Sequence, residues 1–297
     1  MLNKAPIFIN GFTRGGTDLL VSLLASHPEV CLLSGETQEV FCGKPKRRDR
    51  KIRKFFYLPV KAAAGQHIFH THCLENRNRI PVMVMHYMDL FFYMDKIISG
   101  RKKLTPEESG HAFKELNKMR FLVKNVNGVV FACDIFSEMY PDATFIAIVR
   151  NGLAICEGHI RRGRTAEGFG RMYEAVCQKM IKDASLIKNY HILYFEDMVS
   201  DPVSFMKKIY GIAGLDISRI SKVSLKAKRA MDKDGERRYT FDALKDREVK
   251  WFAIEEIGNY ISKDVNENQI VRLSSLDRET FLEQARSSME MLGYLKT

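Results

Sequence analysis

The chain has 297 residues, 45% of them hydrophobic and 28% charged, enough for one large α/β domain or two small ones around a substantial core. No apolar run is long enough to span a bilayer and no signal peptide opens the chain, so a membrane-spanning or exported protein is not expected. The formal net charge of +11 argues for anionic ligands, not for any particular fold.

The first element is "PIFING", Pro6 to Gly11. It is apolar and partly β-branched and reads as a short buried strand. From Leu19 the apolar spacing turns helical through Leu20, Leu23 and Leu24, and stops at "SHPEV". The stretch between, "GFTRGGTDLL", is therefore a strand-to-helix turn whose backbone N–H groups and helix N-terminus converge on an anion site. Gly15 and Gly16 allow close backbone approach, Thr17 offers a hydroxyl, and Arg14 supplies a permanent planar cation. The glycine spacing fits a triphosphate loop, G-x-x-x-x-G-K-[ST]. Thr17 and Asp18, however, stand where the lysine and the magnesium-binding hydroxyl belong, which argues against a magnesium-ATP kinase. A purely structural turn with no ligand is the alternative at this point.

Further along, "KPKRRDRKIRK" (Lys44 to Lys54) and "HIRRGR" (His159 to Arg164) are basic runs. Each reads either as a solvated surface or as a landing strip for a polyanion or an anionic membrane. No helix-turn-helix, RNA-binding or zinc-finger pattern accompanies them, so sequence-specific nucleic-acid binding is not expected. "HIFHTHC" holds His67, His70, His72 and Cys73 in a spacing that matches no zinc pattern, and no metal is expected. "IPVMVMHYMDLFFYMDKII" (Ile80 to Ile98) reads as a mostly buried helix, with a greasy lid or a lipid-facing surface as the alternative. The six cysteines, Cys31, Cys42, Cys73, Cys133, Cys156 and Cys177, form no C-x-x-C pair and read as reduced thiols in a cytoplasm.

The second half alternates. "ATFIAIVR" (Ala143 to Arg150) reads as a second buried strand, about Ala166 to Lys188 as a long helix, and "HILYFEDMV" (His191 to Val199) as a third strand. "DPVSFMKKIYGIAGL" (Asp201 to Leu215) has helical spacing, Ser218 to Asp246 reads as a polar, basic, mobile loop, and Arg278 to Tyr294 as a closing amphipathic helix. Strand–helix alternation implies a parallel sheet with ligands at the carboxyl ends of its strands, where Arg150 would share a crevice with Arg14.

"FINGFTRGGTDLLVSLLASHPEV", "KNVN", "YPDATFIAIVRNGLAI", "ILYFEDMVSDP", "IAGL" and "MLGY" resemble, in order and over nearly the whole chain, the PAPS-dependent sulfotransferases, in pattern nearest the carbohydrate and tyrosylprotein branches. The resemblance implies an α/β, P-loop-like three-layer domain with a central parallel sheet flanked by helices. It implies one domain over 1–297, a 5′-phosphosulfate loop at 11–19, a 3′-phosphate region at 145–162, and variable acceptor regions at about 41–90 and 222–250. The cofactor it implies is PAPS, with PAP as product and no metal.

By the same resemblance Arg14, Gly15, Gly16, Thr17 and Asp18 match the phosphosulfate loop, and Arg150 and Arg162 match arginines for the 3′-phosphate. Glu36 matches the catalytic base, with Glu39 behind it, and Lys124 matches a lysine at the bridging oxygen. Arg14 would serve catalysis as well as binding, and Lys250 matches a late cofactor lysine. The bland readings are a helix-capping acid for Glu36, a surface lysine for Lys124 and a solvated cation for Arg162.

Two departures stand out. Asp18 replaces a serine or threonine, and Gly158 stands where the 3′-phosphate serine belongs. Near the third strand the family tyrosine appears as Phe195, with Tyr194 beside it.

The expected function is transfer of a sulfuryl group to a hydroxyl on a carbohydrate or glycolipid, in a soluble, bacterial-looking chain that makes at most peripheral membrane contact. A tyrosine-bearing acidic peptide or an anionic glycan suits the charge equally well. A non-catalytic basic binding protein on the same scaffold is the alternative from another class.

Overall fold

A computed structural model describes residues 1–42, 53–64, 80–99, 117–226, 229–231, 237–239 and 249–295. The first basic run, from Lys44 up to the helix that starts at Arg53, and the His67–Cys73 cluster lie outside the described residues.

The elements follow as β1 (Ile7–Gly11), α1 (Thr17–Ala25), β2 (Val30–Leu32), α2 (Thr37–Cys42), α3 (Arg53–Ala64), α4 (Val82–Ser99) and β3 (Arg120–Val126). Then come α5 (Cys133–Met139), β4 (Thr144–Val149), α6 (Gly152–Ile160), α7 (Ala166–Leu186), β5 (Tyr190–Tyr194), α8 (Phe195–Ser200) and α9 (Pro202–Ala213). The last are β6 (Lys222–Lys226), β7 (Arg229–Met231), β8 (Arg237–Tyr239), β9 (Val249–Ala253), α10 (Val265–Val271) and α11 (Ser275–Met291).

The centre is a five-stranded sheet in the order β2-β3-β1-β4-β5, parallel at every pairing. Its alternating side chains divide the core in two. Phe8, Phe121, Phe145 and Ala147 face one layer with Phe169, Tyr173 and Met180 of α7. Ile7, Ile9, Leu122, Ile146 and Ile148 face the other, with Leu20 and Leu24 of α1 and Phe205 and Ile209 of α9. The first connection thus packs on one face and the connection from β4 to β5 on the other. The switch falls between β1 and β4, where a crevice opens at the carboxyl ends of open α/β sheets.

Three expectations are corrected. The third strand ends at Tyr194, and Phe195–Ser200 is helical. Glu196 explains the break: its carboxylate accepts the Asn151 N–H at 3.1 Å, the Asn266 amide at 2.6 Å and the Tyr294 hydroxyl at 2.8 Å, so the chain turns to deliver it. The stretch 218–246 is not simply a loop, since Lys222–Lys226 pairs antiparallel with Val249–Ala253 and a second short hairpin joins β7 to β8. The helix at 82–99 is not mostly buried: Val82, Met83, Leu90, Met94 and Ile98 are exposed. Its buried face carries Met85, Met88 and Phe92 and, beside them, Asp89, which accepts from Asn3 at 2.8 Å and from the Tyr140 hydroxyl at 2.9 Å, and Asp95, which accepts the Ser34 N–H at 2.7 Å. The acids are tolerated inside because each has hydrogen-bond partners there. Among the described residues no helix is long and apolar enough to cross a membrane.

Candidate active site

The β1–α1 turn is built by glycine geometry and two distant clamps. Gly16 precedes the helix at φ 92°, and a Cβ there would collide with the Phe195 ring, so a side chain is excluded on both counts. Arg14, a non-glycine residue, is also left-handed at φ 73°. The Thr13 N–H donates to Asn127 Oδ1 at 3.0 Å, and the Asn127 amide returns a bond to Thr13 Oγ1 at 3.0 Å. On the other side His159 Nε2 lies 3.1 Å from the Thr13 carbonyl. A carbonyl only accepts, so the ring proton sits on Nε2. Burial and the nearby Arg164, Arg162 and Arg14 outweigh that hydrogen bond and hold His159 down at about 4, so the ring is neutral at pH 7.

The turn faces a cavity of about 220 Å³, below the usual 300–1,000 Å³ of small-molecule pockets. Thr13, Arg14, Gly16, Thr17, Asp18, Leu19, Glu36, Lys124, Val126, Arg150 and Arg162 line it. The structure thus brings Arg14, Gly16, Thr17, Asp18, Glu36, Lys124, Arg150 and Arg162 together from positions as far apart as 14 and 162. Gly15 supports the turn through its N–H to Phe12 O at 2.9 Å but does not line the cavity. Gly158 also lies behind the lining, packed on Arg14: a Cβ there would meet Arg14 Cγ at 3.5 Å, an ordinary contact.

Two predicted residues are elsewhere. Lys250 is exposed on β9, its ammonium 5.4 Å from the centre of the Phe252 ring, and does not line the cavity. Glu39 is buried at 4% exposure, also outside the lining.

Lys124 and Glu36 reach each other because α2 docks on β3. The Thr37 hydroxyl lies 2.8 Å from the Lys124 carbonyl and 2.7 Å from Asn125 Oδ1. That places Glu36, just before the helix, with its carboxylate 3.0 Å from Lys124 Nζ. Asp18 takes the same ammonium in a second ion pair. Burial pulls the Lys124 ammonium down, but Asp18 and Glu36 together outweigh it and leave the group above its ordinary value. The Glu36 carbonyl accepts the Glu39 N–H at 3.0 Å while its side chain turns to the cavity.

Arg150 follows β4 and is 4% exposed. Its Nε donates to Asn266 Oδ1 at 2.6 Å, Nη1 to the Arg14 carbonyl at 2.6 Å, and Nη2 to Gln269 Oε1. The guanidinium lies 4.3 Å from the centre of the Phe195 ring. Burial brings Arg150 down to about 10, against the pull of Glu196, so it stays cationic at pH 7. Arg14 is also lowered, by burial and then by Arg162 and Arg161. Arg162 is exposed at the rim.

Sequence reasoning missed Asn127, His159, Glu196, Asn266 and Gln269. Asn127 sits in the quoted "KNVN" and His159 in "HIRRGR", but only the fold shows what they hold. Asn266 and Gln269 stand three apart on α10 and carried no signal. Among the described residues no group of three or more His, Cys, Asp or Glu side chains is arranged to hold a metal ion.

The strand-to-helix turn, two arginines at the switch point and a carboxylate–lysine pair thus line one cavity. The family model described as the sulfotransferase family matches residues 6–219, and the chain belongs to that family. Membership makes it a sulfuryl-transfer enzyme.

The sulfotransferase domain of the Synechococcus PCC 7002 olefin synthase is 15% identical and aligns over 99% of this chain and 98% of its own, with a TM-score of 0.50. The sulfotransferase domain from the curacin biosynthetic pathway is 11% identical over 99% of both chains, with a TM-score of 0.51. These two share the α/β fold. A mouse sulfotransferase complexed with PAP aligns over 98% of this chain and 89% of its own at 15% identity, with a TM-score of 0.45. A search of curated protein sequences returned no match.

Proposed function

We propose that this chain transfers a sulfuryl group from PAPS to a hydroxyl of a carbohydrate or glycolipid, without a metal, through one domain spanning 1–297. The observation that carries the proposal is the convergence of Arg14, Arg150 and the Glu36–Lys124 pair on one cavity at the strand carboxyl ends. The residues present fit such a donor: the α1 N-terminus and the glycine turn suit a phosphosulfate, and a planar, buried Arg150 suits a second phosphate. PAPS, when bound, supplies a sulfuryl group on a phosphate leaving group.

The chain's own residues do the rest. Glu36 takes the acceptor's hydroxyl proton as that oxygen bonds to sulfur and the sulfur–phosphate oxygen bond breaks. Arg14 and Lys124 meet the negative charge that grows on the departing oxygen, where preorganised cations act most strongly. Thr17 and the turn's N–H groups orient the phosphate, and Arg150, with Arg162 at the rim, fixes the far end of the nucleotide. Gly158 supports this only indirectly, through Arg14, and Lys250 takes no part.

The exposed stripe of α4 and the basic mouth suit a glycolipid or anionic glycan acceptor; a tyrosine in an acidic peptide is the alternative. Cys133, Cys156 and Cys177 are free and buried, which fits a reducing cytoplasm.

The test is calorimetric titration of PAP, and separately of ATP with magnesium, followed by transfer of labelled sulfate from PAPS to glycan, glycolipid and tyrosine-peptide panels. Micromolar PAP binding with no ATP binding, and label on a sugar hydroxyl, is the expected result. Binding of PAP without transfer to any acceptor would favour the binding-protein alternative, and absence of PAP binding would end the donor assignment.

A further inference from the structure

The cavity draws anions, yet one of its own walls carries an anion into it. Asp18 lies in the first turn of α1, where the helix N-terminus favours negative charge, and its carboxylate is ion-paired with Lys124. Glu36 also gives Lys124 a carboxylate, at 3.0 Å, so the ammonium meets two acids at once. The two acids differ in setting. The Asp18 side chain is 52% exposed, whereas Glu36 is 21% exposed and Lys124 15%. Water can receive the Asp18 carboxylate at small cost, while Glu36 is fixed by the docking of α2 through Thr37.

We propose that Asp18 is a built-in stand-in for the donor's anionic end. Its carboxylate holds Lys124 until a sulfuryl-bearing phosphate displaces it, so Asp18 sets donor affinity and selectivity. The inference rests on the PAPS reading of the cavity. Binding is then an exchange of one anion for another at Lys124. The entering group must outcompete a carboxylate already in contact, and Glu36 keeps its contact with the lysine throughout. Singly charged anions, which gain little over Asp18, are kept out of an otherwise basic site. The small cavity volume agrees with a site that its own side chain partly fills.

The experiment is calorimetric titration of PAPS and of PAP, without acceptor, into the full chain and its Asp18→Asn and Asp18→Ser variants, each checked for an unchanged thermal midpoint. PAPS is expected to bind both variants about tenfold tighter than wild type, the size of one removed charge contact at a partly exposed site. PAP, which lacks the sulfuryl group, is expected to gain less. As an independent readout, Lys124 in the unliganded Asp18→Asn variant is expected to react several-fold faster with an amine-acylating reagent, read by mass spectrometry. Equal or weaker PAPS binding by both variants, with wild type still binding, overturns the inference and leaves the donor reading intact. No PAPS binding by any of the three proteins overturns the donor reading, and the inference falls with it.

Discussion

The two ends of the cavity hold their cations in opposite ways. Arg150 sits among neutral acceptors, Asn266, Gln269 and the Arg14 carbonyl, over the face of Phe195. Lys124 sits between two carboxylates. Neutral acceptors orient a guanidinium and leave its charge for a ligand, at a desolvation cost that shows in its lowered value of about 10. Carboxylates satisfy an ammonium cheaply but cancel it until one of them is displaced or takes a proton. The first arrangement suits tight anchoring of a part of the ligand that does not react. The second suits a place where charge moves during reaction.

Removing the anchored cation should break the comparison most visibly. Arg150→Ala is expected to weaken PAP binding by about 10³-fold, because a buried charge contact is lost and the amides of Asn266 and Gln269 are stranded. Calorimetry checks this, and Arg150→Lys should recover little, since an ammonium cannot serve three separated acceptors. A loss of only a few-fold would mean that Arg150 supports α10 and does not anchor a phosphate.

The neutral side of the site should also show in pH. His159 is held down at about 4 in the folded chain against an ordinary 6.5. A depressed histidine favours the folded state above 6.5, and that contribution is lost as pH falls toward 4 because the unfolded chain takes up the proton first. The loss amounts to at most about 3 kcal/mol across that window. Denaturant titrations from pH 7 to pH 4 on wild type and His159→Gln should give a shallower slope in the variant, and parallel slopes would remove His159 as the cause.

At the other end Glu36→Gln keeps the shape and removes the base. Turnover is expected to drop by about 10²-fold with PAP affinity changed by less than a few-fold. A large affinity change with turnover intact would make Glu36 a binding group. The smallest effect is expected at Gly158→Ser. A Cβ meets Arg14 Cγ at 3.5 Å and Gln269 Nε2 at 3.6 Å, so the serine fits. It should leave thermal stability within about 0.5 kcal/mol of wild type. Its hydroxyl, added beside Arg14, should tighten PAP by a few-fold at most.

Much of the scaffold was legible in advance. β1, α1, β4, α7 and α9 all fall where uninterrupted apolar runs or helical spacing put them, because a buried strand and an amphipathic helix each write their period into the chain. β2 and β3 were not legible. The first has three residues, and the second mixes Arg120, Lys124 and Asn125 into its apolar pattern. Lys124 and Asn125 are there for the site: Asn125 bonds Asn10 at 3.0 Å and takes the Thr37 hydroxyl, while Lys124 reaches the cavity; Arg120, at the strand's start, instead bonds Thr144 Oγ1 at 3.0 Å. The long helix at 82–99 was recognised, but its buried face was misjudged, because hydropathy does not reveal that Asp89 and Asp95 find partners inside.

By itself, then, the amino-acid sequence determined the class: a parallel α/β sheet, a glycine turn shaped for an anion, and a cation after each of two strands. Those features are local, written in periods, glycines and short spacings. The tertiary structure alone decided that Glu36 and Asp18 would share Lys124, that Lys250 would stay away from the cavity, and that Asn266 and Gln269 would orient Arg150 from more than a hundred residues downstream. Pairings of that kind depend on which helix packs on which strand end, and polar side chains carry no period from which such packing can be read.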